Sequence, residues 1–381
     1  MKNVLKNYNL GIDKHNDVID NLLASKQASK QASRDPALDF IKGFAIIMVF
    51  LVHYGQTFGN PVVTQFGQMG CQVFIFASGY ACCFSLQRNH SKLDFYKRRF
   101  ISITPGFYTQ LIIVVILNIV FARIIGRSFV GVGRTDGLSV LFNVLLLHGI
   151  VPAANNSVFP GGWFIGSLWL LYLLHPWMYN LYVRTKKPIS ITIVGSVCGV
   201  LLTLIVNKLI EGNLNVVNNS FVYFLFTNQL CCYLCGMCLF FIIDRRMSFV
   251  EGLISVVTVF ALGLTVFVFY SNIPVRYIIV TPLMGLSSVF GYLIIKLKCS
   301  LKSKVSKLIV ALGRNSFYIY LVHTIAVWPV ARALNKVIGK VGIDNQLVAL
   351  MFLIIPTIAI TAALAFGLKL LVNYEKRILK L

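Results

Sequence analysis

With 381 residues, 57% of them hydrophobic and 12% charged, the chain carries too little charge to cover a soluble domain of its length. Its formal net charge is +23 at pH 7, but the basic residues lie between apolar stretches and form no basic domain, which argues against a nucleic-acid partner and for a lipid bilayer. Repeated apolar runs of about 20 residues predict an all-α fold, a polytopic membrane protein of about ten transmembrane helices plus a re-entrant segment.

In chain order, residues 1–35 are polar, carry the near-repeat KQASKQASR (26–34), and read as a flexible cytoplasmic tail rather than a signal peptide. A transmembrane domain over 36–374 and a short cytoplasmic tail over 375–381 follow. Predicted spans cover 39–58, 66–86, 99–123, 163–183, 189–209, 219–243, 249–270, 277–297, 310–331 and 347–372. The stretch GLSVLFNVLLLHGIVP (137–152) is short for a crossing and is expected to be re-entrant from the outer side. Under that reading the basic clusters RNHSKLDFYKRR (88–99), RTKK (184–187), DRR (244–246), KLKCSLKSKVSK (296–307) and EKRILK (375–380) all fall on one side with the N-terminal tail. The expectation is a multi-pass plasma (inner) membrane protein with both termini cytoplasmic.

The first span holds two side chains that a purely structural helix would avoid. Lys42 opens the run DFIKGFAIIMVFLVHYG (39–55), and His53 lies inside it. Eleven helical residues turn the chain by about 1100°, some 20° off three full turns, so both share a face about 16 Å apart. Arg98 and Arg99, before the third span, fall at the same cytoplasmic mouth, where snorkelling anchors are the competing reading. No Asp or Glu falls in the middle of an apolar stretch, so a partner for His53 is expected to be a backbone carbonyl, a hydroxyl or water. Most of the nine cysteines, including CCYLCGMC (231–238), lie in apolar stretches and read as small buried hydrophobes, with no metal site expected.

The later spans add further candidates. VFIFASGY (73–80) brings the Ser78–Gly79 pair, suited to close packing or a kink. In YKRRFISITPGFY (96–108), Pro105 is expected to break or kink the helix. PGGWFIGSLWLLYLLHP (160–176) places Trp163 at an outer interface, by default as a belt residue, and His175 as a structural group. LGRNSFYIYLVHTI (312–325) puts His323 inside a span, with Tyr320 three residues away on the same face as its expected partner.

Taken in order, LDFIKGFAIIMVFLVH, VFIFASGY, FYKRRFISITP, WFIGSLWLLYLLHP and LGRNSFYIYLVH resemble the acyltransferase-3 family over roughly residues 36–372. These are polytopic proteins that O-acylate, most often O-acetylate, bacterial surface glycans. Lys42 and His53 match the family's basic residue, ten intervening positions, then His. Lys stands where Arg is more frequent. Arg98 and Arg99 match a basic cluster whose third position is Ser102 here, and GSLWLL (166–171) lacks the acid many members carry. The resemblance implies His53 as catalytic base, Lys42, Arg98, Arg99 and Ser78 as the donor site, and His323, Tyr320 and Trp163 as the acceptor site. The donor would be acetyl-CoA or another acyl-CoA, with no permanently bound cofactor. The acceptor would be a surface or lipid-linked glycan. Direct transfer and an acyl-His intermediate both remain open. The rival reading, an exporter of polysaccharide or lipid-linked sugar, accounts for the spans but not for the aligned Lys42–His53 pair.

Overall fold

The computed structural model describes residues 35–58, 61–88, 91–126, 136–151, 154–158, 161–211, 221–243, 273–341 and 346–379. Every regular element among them is helical: α1 (Pro36–Phe58), α2 (Pro61–Gln68), α3 (Gly70–Arg88), α4 (Lys92–Ile125), α5 (Gly137–Val144), α6 (Gly162–Thr185), α7 (Pro188–Glu211), α8 (Phe221–Phe224), α9 (Phe226–Ile242), α10 (Ile273–Lys298), α11 (Lys304–Val341) and α12 (Gln346–Ile378). The expected N-terminal tail up to residue 34 and the 249–270 span lie outside the described residues. Of the expected C-terminal tail, 375–378 continues α12, and Glu375 accepts a hydrogen bond from the Thr109 hydroxyl of α4 at 2.9 Å.

Seven helices among the described residues are long and apolar enough to cross a membrane, in α1, α4, α7, the α8–α9 segment, α10, α11 and α12. At 19 and 24 residues, α3 and α6 are also long, about 28 and 36 Å at 1.5 Å per residue. Their sequences are less apolar because most of their side chains face other helices and not lipid; Gln72 of α3 and Ser167 and His175 of α6 are all buried. α5 spans 8 residues, about 12 Å, less than half of a hydrocarbon core of about 30 Å. It ends at Leu145 and is followed by Leu146 at φ 58°, a left-handed conformation unusual for a large side chain. Pro105 does not end a helix as its position predicts. α4 runs through it from the Ser91 cap to Gly126, whose φ of 69° closes the helix onto Ala122.

The centre of the bundle is α1, α3, α9 and α11. Burial reaches 72% in the apolar window containing α9 and 61% in that of α1, against 11% in α7, which forms part of the rim. One close crossing sets the geometry of the site. A Cβ on Gly43 of α1 would collide with the carbonyl of Ile309, and one on Gly313 of α11 would collide with the carbonyl of Asp39. Only glycine lets the two backbones approach this far.

Contacts also gather the basic helix ends at one end of the bundle. Asp35, at the start of α1, accepts from Tyr292 of α10 at 2.5 Å and pairs with Lys296 at 3.5 Å. Tyr292 is 2.9 Å from Tyr80 of α3, and Arg98 of α4 donates to Ser85 of α3 at 3.2 Å. Lys92 sits 5.6 Å above the Trp177 ring near the end of α6, and Lys369 of α12 donates to Asn315 of α11 at 2.9 Å.

Candidate active site

Two cavities lie along α1 and α11. The first, about 330 Å³, is near the basic end and includes Lys42, Ser78, Arg99, Ser102, Tyr172 and Arg314 in its lining. The second, about 260 Å³, is further along and is lined by His53, Gln56, Gln68, Asn156, Trp163, Tyr223, His323 and Trp328 among others. Tyr320 lines both. Its ring packs 4.8 Å from Phe164 and 6.3 Å from Phe74, and its hydroxyl donates to the Gly161 carbonyl at 2.7 Å. This tyrosine is a shared wall between the cation-lined space and the histidine-lined space.

From the crossing at Gly43 and Gly313, both helices rise in parallel, and His53 and His323 each lie ten residues on. Ten residues advance each helix by about 15 Å, so the two imidazoles arrive at one level. Their Nε2 atoms are 3.0 Å apart, with ring centroids at 5.0 Å. His323 Nδ1 lies against the Tyr320 carbonyl. A carbonyl only accepts, so Nδ1 of His323 carries the proton and its Nε2 is a bare acceptor when the ring is neutral. His53 Nε2 must then be the donor between the rings. That leaves the lone pair of neutral His53 on Nδ1, which is 3.1 Å from the Gln56 side-chain amide. The amide atom placed there is Oε1; turning the amide over would present its NH2 group to this lone pair.

His53 thus has a second imidazole beside it, a partner that sequence reasoning did not consider, while the Tyr320 carbonyl bonds His323. Tyr320 likewise partners His323 through its backbone and not its hydroxyl. Trp163 is no lipid-facing belt residue. It is buried in the wall of the histidine cavity, 5.1 Å from the Tyr223 ring and 5.0 Å from that of Phe224. The Gly161 turn before α6, at φ 88°, holds this wall in place, its N–H bonded to Asn156 at 2.7 Å.

At the basic end, Lys42, Ser78 and Arg99 line one cavity. Arg98 does not join them. Successive helical residues diverge by 100°, and Arg98 turns to Ser85, donating to both its side chain and its carbonyl. The Arg99 guanidinium lies 5.7 Å from the Phe95 ring centroid and 5.9 Å from that of Tyr172. Two residues were missed by sequence reasoning. Asp39 is almost wholly buried and pairs with Lys42 at 2.8 Å and with Arg314 at 3.3 Å. The signals were present: Asp39 lies three residues before Lys42 on one helix face, and Arg314 directly follows the crossing glycine.

His148 and His175 take no part. His148 bonds the Gly162 carbonyl at 2.9 Å and stacks on Phe107, and His175 bonds the Tyr233 hydroxyl at 2.9 Å and stacks on Phe95. The described residues contain no group of three or more His, Cys, Asp or Glu side chains able to hold a metal ion.

A family model described as an acyltransferase domain matches residues 35–366, nearly the whole chain. No curated protein and no solved structure matches it.

Proposed function

Since the chain belongs to the acyltransferase-3 family, we propose that it is a membrane O-acyltransferase that moves an acyl group, most simply acetyl, from acyl-CoA to a hydroxyl of a surface or lipid-linked glycan. The observation that carries this reading is the pairing of two cavities across Tyr320, one lined with cations and the other holding the His53–His323 pair. An anionic nucleotide fits the first. Lys42 and Arg99 offer it charge-assisted hydrogen bonds, and Ser78 adds a hydroxyl. The pantetheine arm then runs along the face that Lys42 shares with His53, over about 16 Å, and passes Tyr320 as that side chain swings aside.

The histidine cavity suits a sugar. Trp163, Tyr223 and Trp328 supply flat apolar faces for the pyranose C–H groups, and Gln56, Gln68 and Asn156 supply amides for its hydroxyls. The acceptor hydroxyl takes the place of the Gln56 amide at His53 Nδ1 and gives up its proton there as its oxygen attacks the thioester carbonyl. The tetrahedral intermediate collapses with cleavage of the C–S bond, and the thiolate leaves with the proton held by His53. The products are the ester and free CoA. His323 accepts the Nε2–H of His53 throughout, so the positive charge formed on His53 is shared with a neighbouring ring.

The test is His53→Ala in membranes supplied with acetyl-CoA and the host's surface glycan. The variant should insert at the wild-type level and lose about 10²- to 10⁴-fold in acyl transfer, the range for a missing general base. Acylation at the wild-type rate would remove His53 from the chemistry.

A further inference from the structure

We infer that Arg314 is a donor-binding residue, the cation of the α11 wall that grips the phosphate-bearing end of acyl-CoA, and that buried Asp39 positions it. The inference rests on the acyl-CoA reading above and extends it to a residue on a different helix.

Three cations line the cavity at the basic end, Lys42 from α1, Arg99 from α4 and Arg314 from α11, and among the described residues no carboxylate lines it. The α4 wall is thin in charge. One turn after Arg99 it offers only Ser102, whose hydroxyl is already donated to the Arg99 carbonyl at 2.8 Å. Arg314 brings a guanidinium to the same cavity from α11.

Asp39 organises this arrangement from behind. Its Oδ1 takes Lys42 and its Oδ2 takes the Nε of Arg314, so one carboxylate aims two cations. The terminal nitrogens of Arg314 make no hydrogen bond among the described residues, and the Nε of Arg99 is buried without one. Three cations against one carboxylate leave a surplus of about two positive charges. Guanidinium groups with uncommitted N–H groups match the tetrahedral oxygens of a phosphate, and a partly enclosed site strengthens each contact. A neutral ligand would leave those groups unsatisfied.

The experiment measures binding of CoA, and separately of pantetheine, which lacks every phosphate, to the purified full-length protein in detergent. Arg314→Gln should weaken CoA at least tenfold and leave pantetheine unchanged. Arg314→Lys should retain part of the affinity. Restoring a cation from the α4 wall, as Ser102→Arg in the Arg314→Gln background, should recover CoA binding. Asp39→Asn should weaken CoA in the same direction as Arg314→Gln. Two results would overturn the inference: CoA binding by Arg314→Gln equal to wild type, or parallel loss of CoA and pantetheine, which marks a structural role. Wild-type protein that binds pantetheine but shows no gain from the phosphates of CoA would overturn the acyl-CoA reading itself.

Discussion

His53 and His323 form a unit whose direction is fixed by one backbone oxygen. Because the Tyr320 carbonyl holds the proton on His323 Nδ1, the donor sequence runs from His53 through His323 to the carbonyl, and the basic lone pair of His53 emerges on Nδ1. Removing His323 leaves that lone pair free to appear on either nitrogen. His323→Ala should therefore lower kcat for acyl transfer by less than the about 10²- to 10⁴-fold of a missing base, with KM for acetyl-CoA little changed. His323→Gln, whose amide oxygen can accept from His53, should recover part of the loss. Steady-state kinetics on membrane fractions separate the two parameters, and an unaltered kcat in His323→Ala would mean that His53 needs no orienting partner.

The α1–α11 crossing delivers this pair, and it depends on two glycines. A methyl group on Gly313 meets the Asp39 backbone and not a flexible side chain, so the helices must separate. Gly313→Ala should cost about 1–3 kcal/mol and lower the thermal midpoint in detergent, together with acyl transfer. Gly367→Ala in α12 is the control, since nothing lies within 4 Å of its added methyl, and it should leave both unchanged. A Gly313→Ala variant as stable and active as wild type would show that the crossing tolerates a wider gap. Much at this scale was legible in the sequence. The apolar periods locate the helices, and the Lys42–His53 spacing gives the shared face. Equal spacing of Gly43 to His53 and Gly313 to His323 was also written there, yet it gains meaning only when two helices 270 residues apart are known to cross. Asp39 and Arg314 escaped for the same reason. An acid at a helix start reads as an ordinary first-turn residue until a cation from another helix closes over it.

For the molecule as a whole, the contacts from Asp35, Arg98, Lys92 and Lys369 draw the basic ends of α1, α3, α4, α6, α10, α11 and α12 together, so their charges add on one side of the bundle. A membrane retains such an excess on its cytoplasmic face. The cavity of Lys42, Arg99 and Arg314 lies at the same end, and under the proposed function a cytosolic donor would enter there. Topology and donor access thus make one prediction, and a native residue reports on it. Cys299 is exposed between α10 and α11, next to Lys298 and close to Lys302 and Lys304. A membrane-impermeant maleimide should leave it untouched in sealed cells and modify it once the membrane is permeabilised, with the signal lost in Cys299→Ser. The exposed Cys198 lies on the apolar α7, where lipid shields it from a water-soluble reagent. Labelling of Cys299 from outside would turn the cation-lined cavity toward a compartment without acyl-CoA, and the orientation and the donor would fall together.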